Sequence, residues 1–206
     1  MDKELINSHT KIKICGMTCE ADIKAVNTYL PDYIGFVFLK GKMRYVTFEE
    51  AARLRSLLNP AIPAVGVFVN EPAENVIRLL QSGTIQIAQL HGQEDEAYAE
   101  ELRRAGDHCI IRAFAVRSSE DIHRAFAFPA DYPLLDNGKG TGETFDWSLF
   151  QEQEKPFFLA GGLSPENVKE AIECFHPYAV DVSSGVETDG FKDYEKMKAF
   201  MDAVRR

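Results

Sequence analysis

Residues 32–69 read "DYIGFVFLKGKMRYVTFEEAARLRSLLNPAIPAVGVFV", and the hydrophobic pattern changes twice along this stretch. The segments 32–38 and 62–69 are almost continuously apolar, as expected for parallel strands that are covered on both faces. The segment 47–58 between them has apolar residues at helical spacing, and Thr47 begins a capping-box pattern. The stretch therefore predicts a strand, a helix and a second strand parallel to the first.

The same alternation recurs along the rest of the chain. Helical patterns such as 94–106 separate the apolar runs, and Gly83 and Gly106 are suited to end helices. Ser118 and Ser164 are placed to cap two helix starts, the first through a capping box and the second just before a proline. The eight predicted strands are residues 11–16, 32–38, 62–69, 85–90, 109–116, 132–136, 156–160 and 178–183.

Eight strand-then-helix units predict an α/β fold, a single-domain (β/α)₈ TIM barrel spanning residues 11–206. Residues 1–10 are predicted to be a polar N-terminal extension. An open, doubly wound sheet is the structural alternative, but no G-x-G-x-x-G pattern follows the first strand, so its dinucleotide-binding version loses support. In a barrel of this kind the active site lies at the C-terminal ends of the strands, so we expect the functional residues there.

Composition narrows the class of partner. The 206 residues carry a formal net charge of −9, which argues against a general role in binding nucleic acid or an anionic membrane. Neither a signal-peptide core nor a membrane-spanning run is expected from the sequence. The four cysteines form no C-x-x-C pair or zinc-like group, so we expect reduced thiols and a cytoplasmic location. A small-molecule partner is therefore expected.

Four chemically capable side chains follow predicted strands, and each has a plainer alternative. Cys15 is a reactive thiol or a small apolar filler. Arg44 holds a carboxylate or is a solvated surface cation. His91 is catalytic or structural, and Asp136 is a catalytic acid or the cap of a turn. Asp181 is interpreted as structural, paired with a nearby lysine.

Small residues follow the last two strands. Gly161 and Gly162 allow backbone N–H groups to approach a ligand, and the helix predicted to begin near Ser164 directs its positive end to the same place. Ser184 and Gly185 add donors from the next loop. Barrel enzymes frequently bind phosphate with these two loops, so an anion site is predicted, and simple tight turns are the alternative. The loop 138–142 is a further source of amides and of closure over the site.

Eight short segments lie along nearly the whole chain after residue 10: "KICGMT" (13–18), "GFVF" (35–38), "RYVT" (44–47), "VGVFVN" (65–70), "QLHG" (89–92), "GTGETFDW" (140–147), "LAGGLSPENV" (159–168) and "VDVSSGVETDGFKD" (180–193). In this order they resemble the phosphoribosylanthranilate isomerase family of tryptophan biosynthesis. The last two segments are the most specific.

The resemblance implies a (β/α)₈ barrel that performs an Amadori rearrangement with no metal and no organic cofactor. N-(5-phosphoribosyl)anthranilate becomes 1-(2-carboxyphenylamino)-1-deoxyribulose 5-phosphate. Whether the protein is a monomer or a homodimer stays open at this point. By the same resemblance Cys15 is the general base, Asp136 is the general acid and Arg44 holds the anthranilate carboxylate. His91, at the end of the fourth predicted strand, is interpreted as a supporting residue. The phosphate is assigned to Gly140, Gly142, Gly161, Gly162, Ser184 and Gly185.

One departure from the family pattern affects the arginine loop. Many members carry Ser-Pro-Arg or Ser-Lys-Arg where this chain has "KMR" (42–44). The arginine is present, but how far its side chain extends toward the predicted site does not follow from the family pattern.

The implied chemistry carries two electrostatic expectations. Cys15 must act as a thiolate, and nearby helix N-termini are expected to lower the pKa of its thiol. Asp136 needs a raised pKa so that its acid form is present near neutrality.

Three other functions compete with the isomerase. A metal-dependent epimerase would need several histidines at strand ends, where only His91 is found. An indole-forming synthase would use a lysine at a strand end, and none is evident in the sequence. A non-catalytic sensor of a phosphorylated metabolite would not need both Cys15 and Asp136.

Overall fold

A computed structural model describes residues 9–136 and 155–206, which form a closed barrel of eight parallel strands. The strands follow one another around the barrel in chain order, and the eighth pairs with the first. The predicted (β/α)₈ fold is therefore confirmed, with strand limits within two residues of those predicted. The barrel strands are β1 (Lys11–Cys15), β2 (Tyr33–Val37), β3 (Ala64–Phe68), β4 (Ile87–Leu90), β5 (Cys109–Ala115), β6 (Tyr132–Asp136), β7 (Phe158–Ala160) and β8 (Ala179–Val182).

Helices cover the outside of this barrel. A two-stranded hairpin, β9 (Glu187–Thr188) and β10 (Phe191–Lys192), is inserted between β8 and the last helix. The connection from β6 to β7 lies in 137–154, outside the described residues. The helices in the described ranges are α1 (Glu20–Tyr29), α2 (Phe48–Leu57), α3 (Ala73–Gln81), α4 (Glu96–Arg104), α5 (Ser119–Ala127), α6 (Val168–Phe175) and α7 (Tyr194–Arg205).

Local sequence signals explain most of the helix limits. The Thr47 hydroxyl accepts a hydrogen bond from the Glu50 N–H at 3.1 Å, and Ser118 forms the predicted capping box with Asp121. Gly83 follows α3 with φ +74°, a conformation that glycine adopts without strain. The start of α6 differs from the prediction.

The prediction that a helix begins near Ser164 is wrong by one turn, because α6 starts at Val168. The side chain of Asn167 accepts a hydrogen bond from the Ser164 N–H at 2.8 Å and donates one to the Gly162 carbonyl at 2.9 Å. These bonds hold residues 164–167 in a turn that precedes the helix and lies between it and the glycine pair.

The barrel has two apolar layers because strand side chains alternate between its inside and its outside. Ile12 and Ile14 belong to the larger cluster shared by the strands and helices, while residues such as Val65 and Ile111 form the smaller cluster inside the barrel. Lys13 and Cys15 alternate with the two outward isoleucines of β1 and take the inward positions. The strand period thus places a lysine and a thiol inside the barrel.

Two further expectations concern the N-terminal segment and the absence of a membrane-spanning run. Of the predicted N-terminal extension 1–10, residues 1–8 lie outside the described residues, and the Thr10 hydroxyl donates to the Pro177 carbonyl at 3.3 Å. Among the helices in the described ranges, none has the length and apolar character that crossing a bilayer requires.

Candidate active site

A cavity of about 750 Å³ opens at the C-terminal ends of the barrel strands and gathers most of the predicted site. The predicted phosphate residues Gly140 and Gly142 lie outside the described residues. The other predicted site residues all line this cavity: Cys15, Arg44, His91, Asp136, Gly161, Gly162, Ser184 and Gly185.

Cys15 ends β1 with 9% of its surface exposed, and its free thiol lines the cavity. It pairs in register with Gly35 of β2, where an added Cβ would lie 2.6 Å from the sulfur. The Ser183 hydroxyl donates to the Cys15 carbonyl at 3.0 Å, which ties the end of β1 to the loop after β8. The end of β1 that carries the thiol therefore lies directly against Gly35 of β2 and is bonded to the loop after β8.

Electrostatics around Cys15 correct one expectation from the sequence. Burial raises the pKa of the Cys15 thiol, and this effect exceeds the opposing effects of the positive charges on Lys13 and Lys192. The expectation of a lowered pKa is wrong because desolvation penalises the thiolate more than nearby positive charge stabilises it.

The structure brings a buried lysine to the thiol, which sequence reasoning missed. The Lys13 ammonium is fully buried, donates to Asp181 at 2.7 Å, and its positive charge acts on the Cys15 thiol two residues further along β1. Burial lowers the pKa of Lys13, but Asp181 and Cys15 together raise it above the usual value, so the lysine stays cationic. The interpretation of Asp181 as paired with a nearby lysine is confirmed. The sequence does contain a signal for this lysine: Lys13 and Cys15 are two residues apart in one strand, so their side chains lie on the same face.

Asp136 ends β6, three places from β1 around the barrel, with 25% of its side chain exposed. The Nε2 atom of His91 lies 3.7 Å from the Asp136 Oδ2. Burial lowers the pKa of His91 more than the Asp136 charge raises it, so the imidazole is mostly neutral at pH 7. His91 thus approaches the carboxyl as a polar group rather than as a full cation.

Arg44 is already engaged by a carboxylate of the protein itself. Its Nε donates to Glu187 Oε1 at 2.6 Å and its Nη2 to Glu187 Oε2 at 2.5 Å. The Lys192 ammonium also donates to Glu187 Oε1 at 2.6 Å, and to the Ser183 carbonyl at 3.0 Å. Sequence reasoning missed Glu187 and Lys192, which lie far from Arg44 along the chain.

The glycine loops after β7 and β8 lie close together. Gly161 and Gly162 have φ angles of +92° and +69°, which favour glycine. A Cβ on Gly185 would lie 1.9 Å from the Leu163 carbonyl oxygen, so the two loops approach as closely as they do only because residue 185 is glycine. Loops this close can present backbone amides to one anion.

Two further polar side chains line the cavity without having been predicted as ligand contacts. Among the described residues, the buried oxygens Gln89 Oε1 and Asp181 Oδ1 have no hydrogen-bond partner. Arg112 also lines the cavity: its Nη1 and Nη2 atoms donate to the carbonyls of Leu90, Ala113 and Gly92, while its buried Nε has no hydrogen-bond partner within the described ranges. In the described part of the chain, no group of three or more histidine, cysteine or acidic side chains is arranged to hold a metal ion.

Comparison with known proteins agrees with the fold. The family model described as N-(5'phosphoribosyl)anthranilate (PRA) isomerase matches residues 12–203. The chain belongs to this family. A PRA isomerase of Endomicrobium trichonymphae is 46% identical over 192 residues, covering 91% of this chain and 94% of the relative. One of Thermoanaerobacter sp. (strain X514) is 42% identical over 202 residues, covering 95% and 98%.

Solved PRA isomerase structures superimpose on the barrel. The Thermotoga maritima enzyme has a TM-score of 0.85 at 36% identity, covering 95% of this chain and 98% of its own. A second structure, in complex with reduced 1-(o-carboxyphenylamino)-1-deoxyribulose 5-phosphate, has a TM-score of 0.82 at 34% identity, with the same coverage. The Thermotoga maritima enzyme is dimeric and has also been crystallised as monomers. The chain is therefore an isomerase of the tryptophan pathway by family.

Proposed function

We propose that the protein converts N-(5'-phosphoribosyl)anthranilate into 1-(2-carboxyphenylamino)-1-deoxyribulose 5-phosphate at the cavity described above. Family membership supports the reaction. One observation carries the assignment of residues: Cys15 and Asp136, from strands three places apart, line the same cavity as Arg44 and the two glycine loops. A proton-transfer pair and two anion contacts are the groups this rearrangement needs.

The proposed mechanism is an isomerisation, so each proton that the substrate gains, at the ring oxygen and at C1, is matched by one that it loses, from C2 and from the C2 hydroxyl. Asp136 in its acid form protonates the ribose ring oxygen, the C1–O bond breaks and the anthranilate nitrogen forms a cationic imine. Cys15 as thiolate then removes the proton from C2, which the neighbouring cation has acidified, and the resulting enolamine tautomerises to the ketone. Each positioned acid or base typically contributes about 10² to 10⁴ in rate.

The electrostatics of Cys15 make Lys13 part of this proposal. Because burial raises the pKa of the thiol, the thiolate is a minority form in the free protein near neutral pH. The positive charges of the buried Lys13 and of Lys192 favour that form, and the cationic imine adds a further positive charge beside it. The base is therefore most available when the substrate ring has opened.

Substrate positioning is assigned to groups around the cavity wall. Arg44 holds the anthranilate carboxylate, and Gly161, Gly162, Ser184 and Gly185 supply the loops for the phosphate. The predicted contribution of Gly140 and Gly142 remains a proposal about residues outside those described. His91 supports Asp136 from 3.7 Å away.

The unpartnered oxygens of Gln89 and Asp181 suit the ribulose hydroxyl groups. Both are buried acceptors, and leaving a buried acceptor unpaired costs about 1–3 kcal/mol. A bound hydroxyl group would donate to one of them and remove that cost.

The test is a fluorescence assay of phosphoribosylanthranilate consumption by the purified protein. Cys15→Ser and Asp136→Asn should each lower kcat by about 10² to 10⁴, with unchanged circular dichroism. Cys174→Ser is the matched control, because that thiol is exposed and lies on α6 outside the cavity. Full turnover in either site variant would remove that residue from the mechanism, and an inactive wild-type protein would favour a sensor of phosphorylated metabolites.

Two further properties belong to the proposal. All four cysteines are free, which supports reduced thiols and a cytoplasmic setting. The assembly is a monomer or a homodimer, as in the relatives, and sedimentation at several protein concentrations distinguishes the two.

A further inference from the structure

The hairpin after β8 bears directly on the arginine at the cavity wall. Glu187 begins the hairpin and Lys192 ends it, with a two-residue turn at Asp189 and Gly190, whose φ angles are +53° and +83°. Positive φ at both turn positions matches the right-handed twist of a tight hairpin. The hairpin therefore fixes the separation between a carboxylate and an ammonium that both reach back to the barrel.

Both ends of the hairpin are attached to rigid parts of the protein. At its far end, Lys192 donates to the carbonyl of Ser183, whose hydroxyl in turn donates to the carbonyl of Cys15. At its start, the Glu187 carbonyl accepts from Lys196 of α7 at 2.9 Å. Glu187 is thus held by the barrel and by α7, and its side chain is only 6% exposed.

The geometry points to Glu187 as a positioning residue that orients Arg44 for the substrate's aromatic carboxylate. Glu187 takes the Nε and Nη2 donors along one edge of the guanidinium. A guanidinium has five N–H donors, so three remain, and those on Nη1 and Nη2 form a second edge suited to a bidentate carboxylate contact. This inference rests on the proposed function, in which Arg44 binds that carboxylate.

The local charge agrees with this role. Arg44 and Lys192 contribute two positive charges against the single negative charge of Glu187, which leaves one positive charge for an incoming carboxylate. Burial raises the pKa of Glu187, but the hydrogen bonds from Arg44 and Lys192 hold it below the usual value, so it stays ionised. The site therefore remains attractive to an anion although Arg44 already has a partner.

The packing of Arg44 explains why its orientation needs support. A Cβ at Gly16 would lie 2.5 Å from the Arg44 Cδ, so the arginine stem crosses directly over Gly16, beside Cys15. The side chain remains 32% exposed, and its guanidinium has no second carboxylate partner among the described residues. Removing Glu187 would free the guanidinium to turn away from the cavity.

The test compares two inhibitors by calorimetry: reduced 1-(o-carboxyphenylamino)-1-deoxyribulose 5-phosphate and the corresponding phenylamino compound, which lacks the carboxylate. Glu187→Gln should weaken binding of the first compound about tenfold and leave the second unchanged. Both oxygens of Glu187 accept hydrogen bonds from Arg44 or Lys192, so the NH₂ group of a glutamine would face an N–H donor in either orientation of the amide. The glutamine therefore cannot hold the guanidinium as the carboxylate does. Loss of affinity for both compounds alike would indicate a merely structural role and overturn the inference.

Two further variants keep the test decisive. Glu187→Asp retains the charge but shortens the side chain, so it should also weaken only the carboxylate compound, even if the glutamine variant folds poorly. Glu50→Gln is the matched control, because Glu50 makes the same two-point contact with the exposed Arg53. It should change neither affinity.

Arg44→Ala distinguishes failure of the proposed function from failure of the positioning role of Glu187. If this variant binds the carboxylate compound as tightly as the wild type, the assignment of Arg44 in the proposed function fails, and the role of Glu187 fails with it. If Arg44→Ala weakens binding and the Glu187 variants do not, only the role of Glu187 is overturned.

Discussion

Replacing Gly35 with alanine tests whether the position of the Cys15 sulfur matters for catalysis. The added Cβ would lie 2.6 Å from the sulfur and 3.1 Å from the Cys15 Cα. Comfortable contacts between such atoms begin near 3.5 Å, so the sulfur must move by roughly 1 Å. The backbone of Gly35 needs no positive φ, so the effect comes from this contact and not from strain.

The size of the effect follows from that displacement. A misplacement of about 1 Å at a reacting group costs about 10²-fold in rate, so Gly35→Ala should lower kcat by about that factor. Overpacking should also reduce the free energy of unfolding by about 1–3 kcal/mol, which lowers Tm by roughly 2–4 °C for each kcal/mol. The measurements are steady-state kinetics by substrate fluorescence and a thermal unfolding scan.

Gly66→Ala is the control for overpacking alone. An added Cβ there would lie 2.7 Å from Ile85 and 2.8 Å from Phe68, away from the thiol. This variant should lose a similar amount of stability and keep its kcat. A Gly35→Ala protein that is destabilised but turns over at the wild-type rate would refute the placement of Cys15 as the base.

Three other predictions concern charge. Because burial raises the pKa of the Cys15 thiol, the pH dependence of its alkylation rate with iodoacetamide should have a midpoint above the usual thiol value of about 8.5. Peptide mass spectrometry measures the alkylation, and a midpoint below that value would contradict the prediction. Lys13→Met should lower the free energy of unfolding, measured in urea, by about 3–5 kcal/mol, because it leaves Asp181 buried without its partner. The double variant Lys13→Met, Asp181→Leu should recover much of this loss. An equal loss in the single and the double variant would show that the ion pair is not what stabilises the protein here. His91→Gln should reduce kcat by at most about tenfold without changing KM, because a polar contact at 3.7 Å is weaker than a hydrogen bond, whose net contribution is about 0.5–1.5 kcal/mol. A reduction as large as that of Asp136→Asn would make His91 a catalytic group itself.

Much of the fold could be predicted because its signals are local. Continuous apolar runs, helical periods, the Ser118 capping box and Gly83 each depend on residues within a few positions of one another. The start of α6 was missed because the Asn167 side chain satisfies the Ser164 N–H and holds a turn there, which the serine-proline pattern does not reveal. The predicted rim residues in the described ranges converge because parallel strands in a barrel all end on the same side.

Local patterns in the amino-acid sequence predict the order of strands and helices, the side chains at the strand ends and the glycines of the loops after β7 and β8. Folding of the whole chain decided which charges meet: Lys13 contacts Asp181 across 168 positions of the chain, and Arg44 contacts Glu187 across 143. It also decided the pKa of the Cys15 thiol, because desolvation depends on every element that packs around a group. Local periodicity carries information over one or two turns, whereas burial and ion pairing are properties of the closed barrel.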